Sequence, residues 1–405
     1  MKEFKIKKIN TLLLILLYIT SILFFSPSNL FATEGIFVLG NDANQLGRAS
    51  SGIASPRSAY WAYMNPASIV DLEKRLDLNW YVVKTKIEME PRGIIGNRFE
   101  SLESEGWFNI PSGGMIVPLE TGTLGFGIYP NSGSGIDYPA SRNLLSRPFN
   151  ADRRLSYQHV RLDIAYAYKF DNDWAVGFGI QGSISRFRTD HITLNLLPTQ
   201  GDFEWDNALG AGFNIGVYKK WDKFAFGAAY SSQHWTEKFD KYEDLLKYPL
   251  DQPQMINAGI AYDFTNKITL TLDFKWINWK GIPFYGRNLL DGGFNWVNQF
   301  STKVGLEYRI NEKTRIMCGY SHGNSPVTED HVFLSGLVPV LAEDHFTLGV
   351  SRKITANDEI TAAGVICLKN NMKDTGNGDL LSHLGKGTEI ETSGFSFALG
   401  YTHYF

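Results

Sequence analysis

The strongest constraint on how this 405-residue chain folds is the rhythm of its connections. Fourteen stretches alternate apolar residues with polar or small ones. They lie near 75–86, 113–120, 123–131, 156–170, 174–186, 208–219, 223–235, 254–264, 267–279, 299–310, 314–322, 344–354, 358–369 and 392–405. In "VRLDIAYAYKF", Val160, Leu162, Ile164, Tyr166, Tyr168 and Phe170 share one face; Arg161, Asp163, Ala165, Ala167 and Lys169 share the other. A period of two is that of a β-strand. Six connections are tight turns, such as "DND" at 171–173 and "NEK" at 311–313, built from residues that favour turns. Seven are long: 87–112, 132–155, 187–207, 236–253, 280–298, 323–343 and 370–391. Short and long alternate without exception.

In an antiparallel array this alternation puts every tight turn on one side and every long loop on the other, as in a transmembrane barrel. The expected fold is therefore all-β: a transmembrane antiparallel β-barrel of about fourteen strands, apolar face to lipid and polar face to the lumen. A closed barrel satisfies every backbone group inside a bilayer. A soluble β protein would hide one apolar face per sheet, but it offers no reason for seven long loops on one side. Composition agrees: aromatics make up 14% of the chain and glycine 39 residues. After the N-terminus no window holds the roughly 18 apolar residues of a membrane helix. A net charge of −3 gives no bulk attraction to nucleic acid, and two cysteines are no disulfide scaffold.

The ends divide the chain further. Lys2, Lys5, Lys7 and Lys8 precede "TLLLILLYITSILFF" and "NLFA", which reads as a secretory signal peptide over 1–32; an uncleaved anchor is the alternative. Residues 75–405 form the expected barrel, which is wider than the eight-stranded kind whose side chains fill the interior. Residues 33–74 are apolar but irregular. Their "YWAYMNPASIV" holds Asn65-Pro66, and proline suits neither a central strand nor a helix interior. These residues are expected to fold inside the barrel as a plug, or hatch.

Within this frame, parity turns Arg161, Lys169, Lys275, Lys303, Arg309 and Arg315 inward, with Asp163, Asp263, Asp273 and Glu307. A basic side chain such as Arg161, Lys303 or Arg315 can hold a carboxylate by charge-assisted hydrogen bonds; the other reading pairs these cations with the lumen acids or the hatch. A greasy ligand also needs apolar lining, for which the hatch offers Phe37, Leu46, Tyr60, Trp61, Tyr63 and Met64. Two apolar stretches, 332–342 and 242–250, fall in long loops. They read either as exposed capture patches or as a cap over the barrel mouth. Trp174, Trp221, Trp276, Trp279, Tyr401, Tyr404 and Phe405 lie near strand ends, as an interfacial girdle would. "GFGIQG" (177–182) fits a dinucleotide pattern but lies in a strand with no helix after it; its inward glycines leave room in the lumen. His159, His191, His234, His322, His331, His345, His383 and His403 show no metal spacing. Cys318 and Cys367 do not suit a disulfide, and no Ser/His/Asp constellation stands out. No metal, cofactor or enzymatic activity is expected.

The chain resembles the FadL/TodX (OMPP1) family of outer-membrane transporters for long-chain fatty acids and aromatic hydrocarbons. The residues that carry the resemblance are "LGRASSGIA" (46–54), "MNPASI" (64–69), "LGFGIYPNSGSG" (124–135), "DIAYAYKFDNDWAVGFGI" (163–180), "PQMINAGIAYDFTNKITLTLDFKWINW" and the stretches through "HFTLGVSRKI". The resemblance implies passive transport across the outer membrane of a diderm bacterium by a monomer. A hydrophobic substrate is caught by extracellular loops, bound beside the hatch and released sideways at a kinked third strand. It carries the hatch motif onto Asn65, Pro66 and Ala67, and the kink onto Pro130, Gly133 and Gly135. The C-terminal strand ending in Phe405 resembles the signal read by the barrel assembly machinery, so that machinery and outer-membrane lipid are the implied partners. Asn-Pro-Ala also occurs in related barrels of secretion systems, which leaves open a structural or partner-binding role in export or surface display.

Overall fold

The computed structural model describes residues 34–96, 100–139, 152–190, 193–194, 197–198 and 203–405. The expected leader, Thr33 and His191 lie outside the described residues. Fourteen long strands make the wall: β1 (Arg75–Glu90), β2 (Leu102–Pro118), β3 (Thr123–Tyr138), β4 (Arg153–Lys169), β5 (Trp174–Asp190), β6 (Asp206–Trp221), β7 (Phe224–Ser231), β8 (Met255–Thr265), β9 (Ile268–Ile277), β10 (Gln299–Arg309), β11 (Thr314–Gly323), β12 (Asp344–Lys353), β13 (Asp358–Lys373) and β14 (Glu389–Tyr404). Each pairs antiparallel with the next, and β1 pairs with β14, so the sheet closes on itself. A short extra strand, Trp235–Thr236, adds to β6, and Thr193–Leu194 pairs with Leu197–Pro198 in a small separate hairpin.

The alternation read from the sequence is the alternation of exposure. On β4 and β5, Leu162, Ile164, Tyr166, Phe178 and Ile180 are exposed on the outer face, whereas Arg161, Asp163, Ala165 and Gln181 are buried inside. All six tight turns gather on one rim and the long connections on the other.

Several strands run further than the sequence suggested, mostly at their long-loop ends. The largest difference is β2, which starts at Leu102 rather than near 113. Its upper half alternates inward Leu102, Ser104 and Phe108 with outward Glu103, Glu105 and Trp107. The outward charges obscured the apolar face that lower strands display. In contrast, the strand expected over 223–235 ends at Ser231.

One seam of the wall is incomplete. β1 and β14 share sixteen registered pairs, but β2 and β3 share six, from Gly113↔Ile128 to Pro118↔Thr123. Above Gly113, β2 stays paired with β1 while β3 stays paired with β4. β3 carries a bulge there, between Pro130 and Ser132, and a bulge bends the strand that bears it.

Residues 34–72 lie inside the ring of strands and are almost wholly buried. Wall side chains from all sides hold their backbone. Asp77 of β1 accepts from Ala59 N (2.8 Å), Asp273 of β9 from Ile53 N (2.9 Å) and Thr347 of β12 from Ala49 N (3.0 Å); Asn214 of β6 donates to Tyr63 O (2.8 Å). An irregular backbone needs such partners, because its polar groups find none in a ladder.

Candidate functional site

The Asn65-Pro66 break is the hinge of the internal segment's local structure. Asn65 is extended (φ −150°), its Oδ1 accepts from Ala67 N (3.1 Å), and Pro66 opens a 3-10 helix over Pro66–Asp71. This is an N-cap with proline at the first helical position, where its missing N–H costs nothing. The Asn65 amide also donates to Val217 O of β6 (3.1 Å). The turn sits directly on the wall. A Cβ added at Gly177 would stand 2.3 Å from Ala67 N, and one at Gly216 would stand 2.1 Å from Asn65 Oδ1. The first glycine of "GFGIQG" is therefore a seat for Pro66–Ala67.

Upstream of this turn, the segment's start closes on the open seam. Val38 N donates to Asn131 O (3.1 Å) and Gly133 N to Ile36 O (2.9 Å), with Phe37 bridged to Ser132. Residues 36–38 thus take the edge of β3 that β2 leaves. They are anchored by Glu34, whose buried carboxylate meets Lys275 (2.5 Å), Lys303 (2.8 Å) and Ser301 Oγ (2.8 Å). Burial alone would raise the Glu34 carboxyl; attraction to Lys275 and then Lys303 outweighs it and holds the group well below the usual carboxylate range.

Behind the seam stands an aromatic group. Tyr60 meets Tyr129 edge-on at 4.8 Å and Tyr63 at 5.2 Å; the Arg161 guanidinium lies 4.8 Å from the Tyr63 ring centre. Phe37 packs on Trp279 at 5.1 Å. Burial raises the Tyr60 and Tyr63 hydroxyls above their ordinary values, which keeps both neutral. A cavity of about 40 Å³ is lined by Phe37, Tyr60, Tyr63, Met64, Asn131 and Lys303, among others. A benzene-sized guest needs roughly 150 Å³, so this arrangement is closed.

Not every sequence candidate meets here. Leu46 belongs to a second cluster with Val38, Leu39 and Tyr81. Trp61 is buried in the first cluster but turns its Nε1 to Gly52 O (2.8 Å), beneath the Arg48 guanidinium. Arg315 is engaged by Glu359 (2.5 Å) and Asn44 Oδ1 (2.8 Å). Arg161 binds Gln181 Oε1. Lys169 and Arg309 are half exposed at the short-turn rim, because inward parity at a strand end meets solvent. Pro130, Gly133 and Gly135 all lie on β3 along the open seam.

One open alternative is decided and one expectation needs correction. The apolar loop stretches are not exposed patches: Val332, Phe333, Leu334, Leu337 and Leu341, with Tyr242, Leu245, Leu246 and Leu250, are buried in the same cluster as Phe37 and Tyr60. The loops fold inward and cap the mouth, since that removes the most apolar area from water. Trp279 is not in a girdle; it is fully buried against Phe37, Tyr285 and Trp296. Trp174, Trp221, Tyr401 and Phe405 do face outward. The sequence reading also passed over Glu34 and Tyr129. Glu34 is the first acid of the internal segment and could have been matched to the inward Lys275 and Lys303. Tyr129 ends an inward row of Thr123, Gly125 and Gly127, a change of size that marks where the lumen is filled.

The fold has known counterparts. The family model described as outer membrane protein transport protein (OMPP1/FadL/TodX) matches residues 28–405. Among solved structures, a Pseudomonas aeruginosa FadL homologue superposes with a TM-score of 0.69 at 14% identity, covering 92% of this chain and 100% of that one. The Pseudomonas putida toluene transporter TodX gives 0.68 at 15% identity, over 92% and 100% of the two chains. The Ralstonia pickettii toluene transporter TbuX gives 0.61 at 16%, over 89% and 98%. No curated protein matches the chain.

Proposed function

This chain belongs to the OMPP1/FadL/TodX family of outer-membrane transport proteins, and from that premise we propose that it is a passive channel for hydrophobic molecules, long-chain fatty acids or aromatic hydrocarbons. Residues 33–74 act as its hatch, behind a leader over 1–32 that is removed on export. The structures it resembles include toluene transporters and a FadL homologue. The observation that carries the reading is the seam between β2 and β3, open above Gly113 and patched from within by residues 36–38.

Substrate enters past the inward-folded loops and displaces apolar side chains around Phe37, Tyr60, Tyr63 and Met64. Withdrawal of residues 36–38 from β3 then opens a side exit to the membrane. Apolar contacts and the tyrosine faces hold a ring or an acyl chain. Lys303 already holds Glu34, so a substrate carboxylate competes with that carboxylate rather than meeting a free cation. No step needs energy, because an apolar solute moves down its gradient from water into lipid.

Two measurements test this. Vesicles carrying the barrel should take up labelled oleate or toluene faster than empty vesicles. Deleting Asn131, the bulged residue of β3, should restore the ladder and abolish uptake while the barrel still inserts. Equal uptake by loaded and empty vesicles for every hydrophobic probe overturns the reading. A stable protein complex recovered with the barrel, together with no uptake, would favour the structural or export role.

A further inference from the structure

The short-turn mouth of the barrel carries charges that transport of an apolar solute does not use. Along β9 to β12 and the turns that join them, strand parity turns Lys267, Arg309, Lys313, Arg315 and Lys353 inward. With Glu312 and Glu359 they line a hollow of about 610 Å³, so five cations face two carboxylates. The strand register also sets like charges against each other. Arg315 stands opposite Arg309. Arg309 N donates to Lys267 O (2.8 Å) and Lys353 N to Lys313 O (2.8 Å), so each of these lysines also faces a cation across the ladder. Like charges directly opposite destabilise a sheet. Nearby acids relieve them only in part. Glu359 is taken by Arg315 (2.5 Å). Glu307 lies 3.5 Å from Arg309, but its oxygens already accept from Arg57 Nε (2.9 Å) and Nη2 (3.1 Å). Asp263 accepts from Thr269 Oγ1 (2.5 Å). Asp358 belongs to the outer face, where it accepts from Tyr401 (2.7 Å). Among the described residues no ion pair holds Lys267, Lys313 or Lys353; Lys353 only lies over the Tyr404 ring at 5.1 Å. Places where a chain breaks a local rule without a packing gain are where function is expected.

We infer that this mouth docks an acidic, extended segment of a periplasmic partner protein. The short turns of an outer-membrane barrel face the periplasm. A lipid headgroup does not fit as the anion, because the cations point into the mouth and lipid lies on the outer face. From β9 to β12 the row crosses three strand spacings, about 14 Å in all. That is too wide for one phosphate or carboxylate, but it matches four or five extended residues at roughly 3.3 Å each. Lysine and arginine side chains bind carboxylates by charge-assisted hydrogen bonds, and such a segment would relieve all three like-charge pairs at once. The inference is independent of which molecule the barrel transports.

Fluorescence anisotropy of a hexaglutamate peptide carrying an uncharged dye, titrated with the intact barrel in uncharged detergent, tests the site. The peptide should bind at least tenfold more tightly than the matching hexaglutamine, less tightly as salt is raised, and should not be displaced by an equal concentration of inorganic phosphate. Lys313→Glu turns the Lys313/Lys353 pair into an attractive one. It should weaken the peptide at least fivefold without lowering the midpoint of thermal unfolding. Lys220→Glu makes the same change of charge at an inward position of β6, outside the hollow, and should leave binding unaltered. Equal binding of hexaglutamine, equal losses in the two variants, a lower unfolding midpoint in Lys313→Glu, or displacement by equimolar phosphate would each overturn the inference, the last in favour of a small free anion.

Discussion

Glu34→Gln should unfasten the internal segment from the seam. The wild-type carboxylate lies between Lys275 and Lys303, the latter with its side chain only 2% exposed. Removing the negative charge leaves a buried ammonium unpaired, and breaking such a pair costs about 3–5 kcal/mol. Lys275 is 15% exposed and recovers part of its solvation, which favours the lower end. Since every 1.4 kcal/mol is tenfold, the opened population of residues 34–38 should rise roughly a hundred- to several-thousand-fold. Amide hydrogen exchange on the purified barrel reads this directly at Val38 N and Gly133 N, the two donors of the patch. Both should lose protection while the barrel strands keep theirs. Glu34→Gln/Lys303→Met should restore much of it, because removing both charges leaves no unpaired ion. Unchanged exchange in the single variant, or a double variant no better than the single, would refute the assignment of Glu34 as anchor. The pH dependence has a defined sign. The folded carboxyl lies below its ordinary value of 4.5, so the anchor is complete above about pH 4.5 and is lost only as the pH falls through the lower folded value.

Asn65→Ala should remove the cap on Ala67 and the bond to Val217 O, costing about 1 kcal/mol for the cap alone, read as a lower midpoint of thermal unfolding with insertion unchanged. Gly177→Val should push the Pro66–Ala67 turn off the wall; overpacking of this kind costs about 1–3 kcal/mol, and the displaced segment should raise ion leakage in planar bilayers. His234, in the connection after β7, is buried and pushed down to about 3, by desolvation first and by the Arg161 charge second. Its neutral form is the folded one, so stability should be flat above about pH 6.5 and fall between that and about pH 3, as the unfolded state takes up the proton first. His234→Gln should flatten that slope in pH-dependent denaturation.

The wall could be read from the sequence because strand parity is a local property. Leu162, Ile164 and Tyr166 face outward by the geometry of the chain itself, and turns such as "DND" need only their own residues. The Asn65-Pro66 break was equally legible as a point where no strand or helix can continue. What stood beyond the sequence was everything that depends on strands meeting. The same parity that turned Arg161, Lys303 and Arg315 inward cannot say which acid each will find, because Glu34, Asn44 and Glu359 come from distant parts of the chain. The apolar loops stayed open between exposed patch and cap because a loop's burial depends on the mouth it covers. Trp279 looked interfacial because strand ends do not reveal when the next residues turn into the lumen.

The sequence by itself thus determined the barrel, its strand count, which side of each strand meets lipid, and the irregularity of the internal segment. The tertiary structure alone decided that β2 and β3 part above Gly113, that residues 36–38 fill the edge so exposed, and that glycines at 177, 216, 305, 319 and 349 bring the wall down onto the internal segment. The physical reason is range. Alternation and turn chemistry act between neighbours along the chain, whereas seams, seats and ion pairs arise between residues separated by up to hundreds of positions and brought together only when the ring closes.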